Sequence, residues 1–278
     1  MALVNAKEML TKAKAGHYAV GQFNINNLEW TKAVLKAAQE CQAPVIVQCS
    51  EGAGKYMCGY KTVVGMVTAM IEELGITVPV ALHLDHGSTV KQATDALAWG
   101  YTSVMYDGSR SPYDENVKWT KFVADYAHAL GATCEGEIGH VAQGDETALT
   151  DVDEAVSFAK DTGVDALAVS IGTAHGYYKA EPKLDIPRCK AIADALPDTP
   201  LVLHGGSGTP LADVRRAIES GIAKVNIATE FLDTYIKSTL KVYQDLNGAF
   251  VPPDKLADPI IDACAAHVQR LVKFFAGR

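Results

Sequence analysis

Residues 201–227 read LVLHGGSGTPLADVRRAIESGIAKVNI. Leu201–Leu203 is a short apolar run of strand type, followed by His204 and the glycine-rich Gly205-Gly206-Ser207-Gly208. Thr209-Pro210 then predicts a helix start, with the threonine as cap and the proline in the first turn. Val214, Ala217 and Ile218 recur at helical spacing and are expected to face inward. Gly221 sits where a closing glycine belongs. A second strand-type run, Lys224–Ile227, follows at once. Strand, helix and strand joined this tightly make a parallel βαβ unit.

The same rhythm extends through the chain. Strand-type runs recur at Tyr18–Phe23, Pro44–Cys49, Val78–Leu84, Ser103–Tyr106, Thr133–Glu137 and Ala166–Ser170, which with the two above makes eight. Most are apolar throughout, as expected for parallel strands covered on both faces. Helical patterns lie between them. In Val117–Leu130, residues Trp119, Val123, Tyr126 and Leu130 share one face, with Gly131 beyond the end. Alternation of this kind over about 250 residues predicts an α/β fold, a (β/α)8 TIM barrel, with a doubly wound open sheet as its main competitor. No linker, low-complexity tract, charge block or tandem repeat divides the chain, so residues 1–278 are expected to form one domain.

Twenty-five Lys and Arg against 33 Asp and Glu leave a net charge of −8. That balance argues against a general nucleic-acid binder, which needs a basic face. It still allows a local pocket for an anionic small molecule. The six cysteines, Cys41, Cys49, Cys58, Cys134, Cys189 and Cys264, include no C-x-x-C pair and read as reduced thiols. Met1–Lys14 has no secretory pattern, and no run approaches the roughly 18 apolar residues of a membrane span. A soluble, cytoplasmic protein without membrane or nucleic-acid partners is expected.

In a barrel the C-terminal ends of the strands converge on one mouth. Polar residues gather at these ends: Asn24, Ser50, Asp85-His86, Asp107, Glu135 and Glu137, His175-Gly176, His204 with its glycines, and Asn226 with Thr229. Any one of the histidines His86, His175 and His204 is best read as a hydrogen-bonded barrel residue. Three at one mouth favour a zinc site, because three neutral imidazoles leave a coordination position for substrate. His17 precedes strand 1, at the opposite mouth. His128 and His267 sit on helices, His83 lies inside strand 3, and His140 is ambiguous. An isolated Gly205–Gly208 would be a plain turn. Beside a histidine and a helix start it favours a phosphate, bound by backbone N–H groups and the helix dipole. His175-Gly176-Tyr177-Tyr178-Lys179 is a second candidate, although Lys179 alone reads equally well as a solvated lysine.

Taken together, these motifs resemble the class II fructose-bisphosphate aldolase family. The matching residues are Gly21–Asn24, His83–Gly87, Ser103–Met105 with Asp107, Glu135–Gly139, Gly172–Gly176, Leu203–Gly208 and Lys224–Glu230, in the family's order. The resemblance implies zinc held by His86, His175 and His204, with Glu137 a further candidate ligand. It implies that Asp85 moves the proton at the oxygen of the breaking carbon–carbon bond. Gly176, Lys179, Gly205, Ser207 and Thr229 match positions that hold the phosphate of dihydroxyacetone phosphate. Asn24 is a candidate substrate contact, Asn226 matches a contact to the enediolate, and Ser50 matches one to the far phosphate. The family also implies a monovalent cation, Na+ or K+, near the phosphate, and a homodimer or homotetramer.

The sequence departs from the family in three places. The glycine pair expected after Glu135–Gly139 is broken in His140–Glu146, where Asp145 or Glu146 stands for the acid that exchanges the substrate proton. Arg110 stands where many relatives have histidine, placed for the distal phosphate or another anion, and Ala228 stands where many fructose enzymes have Asp or Asn. Fructose 1,6-bisphosphate is the first substrate to expect. Tagatose 1,6-bisphosphate, a phospho-deoxyketogluconate and a sulfonated ketose phosphate are alternatives, and an inactive phosphate-binding barrel or a zinc hydrolase are remoter ones. A Schiff-base aldolase would need a desolvated lysine at a strand end. Lys224 begins the last run, which would put it at the opposite mouth.

Overall fold

The computed structural model describes residues 3–141, 148–176, 178 and 181–278. Eight strands close a parallel barrel in chain order: β1 (Val20–Asn24), β2 (Val45–Ser50), β3 (Val80–Gly87), β4 (Ser103–Tyr106), β5 (Thr133–Ile138), β6 (Ala166–Val169), β7 (Leu201–Leu203) and β8 (Ile222–Ile227), with β8 pairing back onto β1. The open-sheet alternative is thereby excluded. The helices are α1 (Lys7–Ala15), α2 (Leu28–Cys41), α3 (Glu51–Tyr56), α4 (Tyr60–Glu73), α5 (Val90–Trp99), α6 (Tyr113–Ala129), α7 (Val152–Thr162), α8 (Ile186–Ala195), α9 (Leu211–Glu219), α10 (Thr229–Leu246) and α11 (Pro253–Phe275). None of the described helices is long and apolar enough to cross a membrane. All six cysteines are unpaired.

Strand alternation divides the apolar residues into two cores. One fills the layer between sheet and helices, with Val45, Val47, Leu82, Leu84, Leu167 and Leu203 pointing outward. The other lies inside the barrel and is built largely from small residues, Ala81, Ala166, Ala168 and Ala223 among them. Helix α1 plugs its lower end with Met9, Leu10 and Ala13. These small residues leave room above the plug for polar side chains. Gln22, Gln48, His83, Glu135, Lys224 and Asn226 are all buried there.

Two helix expectations need correction. On α6 the buried residues are Asn116, Thr120, Val123, Ala124 and Ala127, whereas Tyr126 is 37% exposed and Leu130, past the helix end, is 55% exposed. Small side chains allow the helix to approach the sheet closely. Trp119 is half-buried against the core and meets the exposed Phe122 ring edge to face. On α9 Pro210 is the cap residue, and no side chain caps the helix. The Thr209 hydroxyl instead donates to the Gly205 carbonyl at 3.1 Å.

Strand β3 ends irregularly. Its pairing with β4 shifts between Leu84 and Gly87, and His86 adopts a left-handed backbone at φ 48°. Such a conformation costs a non-glycine residue on the order of 1–3 kcal/mol. A bulge re-aims successive side chains that would otherwise alternate. Asp85 and His86, though adjacent, therefore line the same cavity.

Gly136 packs outward from β5 closely against Phe158, Thr120 and Val164. A methyl group there would lie 2.8 Å from the Phe158 ring and 3.0 Å from Thr120 Cγ2. Gly136→Ala is expected to destabilise the protein by about 1–3 kcal/mol through overpacking. Chemical denaturation checks this, and an unchanged midpoint would contradict the packing described.

Candidate active site

The cavity at the C-terminal mouth is lined by Asn24, Gln48, Asp85, His86, His175, Gly176, His204, Gly205, Ser207, Asn226 and Thr229, among others. Strand ends and the loops after them deliver all of these residues, as expected at this end of a barrel. The ligand nitrogens of His86, His175 and His204 lie within 4.8 Å of one another.

Two of the three rings are oriented by carboxylates. His86 Nδ1 is 2.7 Å from Asp107 Oδ2, and His204 Nε2 is 2.8 Å from Glu135 Oε1. Their remaining nitrogens, His86 Nε2 and His204 Nδ1, face each other at 3.0 Å. His175 Nε2 is buried with no hydrogen-bond partner among the described residues. Burial, with His204 and His86 adding to it, lowers the His175 imidazole to about 3. Burial also lowers His204. Both rings are therefore neutral donors. Burial opposes charge on His86 as well, but Asp85, Asp107 and Glu137 outweigh it and push this ring up to about 10. The negative field that favours a proton on His86 would equally favour a metal cation beside its ring. This donor set fits a divalent metal such as zinc.

The acids around the rings differ in role. Asp85 Oδ2 accepts from Asn24 Nδ2 at 3.3 Å, and Gln48 Nε2 in turn donates to Asn24 Oδ1. Asp85 Oδ1 lies 3.9 Å from His86 Nε2 and has no hydrogen-bond partner among the described residues. Burial raises the Glu137 carboxyl to about 8, with the Asp107 charge adding to it. Glu137, His86 and Asp107 form a second cluster able to hold a cation, sharing His86 with the three histidines. His140 belongs to this flank, 3.2 Å from Ser109 Oγ, which donates to Asp107 at 2.7 Å.

On the opposite flank the backbone comes close to the cavity. Gly205 has φ +65°, and a Cβ there would meet the Ala174 carbonyl at 2.4 Å. Gly176 has φ +91° and open space beside it. Ser207 Oγ accepts from Ala228 N at 3.1 Å, and Thr229 opens α10. Tyr178 ties the two loops together: its hydroxyl donates to Gly205 O at 2.8 Å and accepts from Ala174 N at 3.0 Å. Glycine backbone and a helix start suit an anion such as phosphate.

Not every candidate residue reaches this cavity. The Ser50 hydroxyl caps α3 by accepting from Ala53 N, and Ser50 is not among the lining residues. Arg110 is exposed and lines a neighbouring cleft with His86, Asp107, His140 and His175. Lys179, Asp145 and Glu146 lie outside the described residues. Lys224 is not at the opposite mouth. Strand β8 begins two residues earlier than expected, and Lys224 is buried inside the barrel, donating to Glu135. The sequence reading missed Gln48, the tie that Tyr178 makes between the two loops, and the pairing of Glu135 with Lys224. Two-residue spacing was the available signal, since Gln48 precedes Ser50 and Lys224 precedes Asn226 by two positions.

Comparison with known proteins agrees with this geometry. The family model for class II fructose-bisphosphate aldolase matches residues 4–278. A fructose-bisphosphate aldolase of Geobacillus stearothermophilus is 46% identical over 274 residues, covering 96% of this chain and 95% of the relative. A 6-phospho-5-dehydro-2-deoxy-D-gluconate aldolase of Bacillus velezensis is 45% identical over 281 residues, covering 99% and 96%. The crystal structure of the YdjI aldolase from Escherichia coli K12 superposes with a TM-score of 0.86 at 34% identity, covering 98% of this chain and 97% of that one. With the barrel, its mouth and these relatives in agreement, the chain belongs to the class II fructose-bisphosphate aldolase family.

Proposed function

We propose that this aldolase reversibly cleaves a ketose phosphate, with fructose 1,6-bisphosphate the first candidate, into dihydroxyacetone phosphate and an aldehyde such as glyceraldehyde 3-phosphate. The observation that carries this reading is the Asp85 carboxylate, with one oxygen unpartnered, in the same cavity as three converging imidazoles. His86, His175 and His204 would hold a zinc ion. Bound there, zinc supplies Lewis-acid stabilisation of the charge that develops on the substrate's carbonyl oxygen.

The remaining steps belong to the protein. Asp85 Oδ1 takes the proton from the C4 hydroxyl as the C3–C4 bond breaks, and it returns that proton in condensation. Asn24 holds the other Asp85 oxygen and so fixes the direction of the free one. The electron pair left on C3 is quenched by a proton, and Asp145 or Glu146 is proposed for that exchange. Gly176, Gly205, Ser207 and Thr229, with Lys179, hold the phosphate, with a monovalent cation (Na+ or K+) beside it. Asn226 contacts the reacting carbons from β8. Glu137 is assigned to the flank behind His86, and Ser50 and Arg110 to the far end of the substrate.

The names of the two relatives support both fructose 1,6-bisphosphate and a phospho-deoxyketogluconate. Tagatose 1,6-bisphosphate and a sulfonated ketose phosphate complete the panel. A homodimer or homotetramer in the cytoplasm is part of the same reading. Leu232, Ile236, Leu240 and Tyr243 support the assembly, being 41–58% exposed along one stripe of α10.

Incubation with the panel is expected to release dihydroxyacetone phosphate from at least one member, and a chelator is expected to abolish the release. Release that survives complete metal removal would refute a metal-dependent aldolase. His204→Ala should lose metal and turnover together, whereas Asp85→Ala should keep the metal and lose on the order of 10²–10⁴-fold in rate. Metal content and kcat of the two purified variants separate these roles, and an active His204→Ala enzyme would remove that ligand assignment. Ile236→Lys is expected to lower the mass measured by sedimentation, and an unchanged oligomer would place the contact elsewhere.

A further inference from the structure

Beneath the three imidazoles the barrel interior contains an ion pair that the proposed chemistry does not use. Lys224 on β8 is 1% exposed and Glu135 on β5 is 2% exposed. Lys224 Nζ donates to Glu135 Oε2. The other carboxylate oxygen, Oε1, is 2.8 Å from His204 Nε2. His83 closes the cluster from β3, with Nε2 4.0 Å from Glu135 Oε2 and Nδ1 2.7 Å from Ser103 Oγ. Both oxygens of Glu135 are thus engaged, one by a cation and one by the His204 ring.

We infer that Glu135 and Lys224 are positioning residues for the metal site, locking His204 so that Nδ1 is its ligand nitrogen. The inference rests on the metal-dependent reading above. A buried ion pair is a poor stabilising device, because desolvation offsets its attraction and apolar residues of similar volume often serve as well. Apolar side chains, Leu10, Ile46 and Ala166 among them, border the pair alongside His83, Ser103 and Thr133. Packing therefore gives no reason to place two charges there, whereas orienting a ligand does. With Oε1 accepting from Nε2–H, the imidazole carries its proton on Nε2. Its lone pair then lies on Nδ1, 3.0 Å from His86 Nε2. Lys224 holds the far oxygen of Glu135, so the carboxylate cannot rotate away from the ring. Asp107 stands in the same relation to His86, but from the solvent side and held by Ser109. The two ligands are therefore supported from opposite ends of the site.

The test uses the full chain and the double variant Glu135→Met with Lys224→Met, which removes both charges and fills the space. It is expected to fold with a Tm near that of the parent. Its Zn2+ affinity, measured by chelator competition, should fall on the order of 10–100-fold, and the visible spectrum of bound Co2+ should change. A folded double variant with parental affinity and spectrum would overturn the inference while leaving the metal-dependent reading intact. A parent protein that binds no metal would overturn both. A second measurement needs no variant. The ¹⁵N-histidine spectrum of the Zn2+-loaded parent is expected to place the His204 proton on Nε2, and a proton on Nδ1 would overturn the inference even if the double variant fails to fold.

Discussion

Closing eight parallel strands sends about half of their side chains into one narrow interior, where every polar group must find a partner or stay unsatisfied in a dry space. This constraint organises the whole molecule. The lower interior is solved with alanines and the α1 plug. The upper interior is solved with polar groups that satisfy one another: Glu135 with Lys224 and His204, Asp107 with His86 and Ser109, Asp85 with Asn24. At the mouth Asp85 Oδ1 and His175 Nε2 have no partner among the described residues, and within the barrel the Gln22 amide and His83 Nε2 have none either.

Burial acts differently on the groups at that mouth. It keeps His175 and His204 neutral, while carboxylates on three sides reverse its effect on His86. Burial pushes Glu137 towards its neutral form. Glu135 stays ionised despite burial, because the Lys224 ammonium and the His204 hydrogen bond hold its carboxyl well below the usual carboxylate range. The result is a compact field of neutral nitrogen donors beside selected charges. The strain of a left-handed His86 is accepted at the same place, because it turns two consecutive residues into one cavity.

The flanks of the cavity divide the proposed substrate. Glycine backbone and the start of α10 face one side, where the phosphate common to all candidate substrates would rest. Arg110, Ser111 and His140 line the cleft on the other side of His86 and His175. Relatives of nearly equal identity carry names with different sugars.

The amino-acid sequence by itself determined the barrel, because apolar runs of strand length alternating with helical spacing have few parallel solutions. It also determined where polar residues leave the strands, which placed Asp85 and the three histidines at one mouth before any coordinates. Strand ends shifted by two or three residues, as at β3 and β8, because pairing with neighbouring strands sets the boundaries and local composition does not. The buried face of α6 was misread for a related reason: close helix–sheet packing selects small side chains, while periodicity counts weigh large ones. Only the tertiary structure decided that Arg110 faces a neighbouring cleft and that Lys224 is bound inside the barrel. Each of those outcomes depends on which partner from a distant strand or loop meets the side chain, and closure of the ring is what brings such partners together.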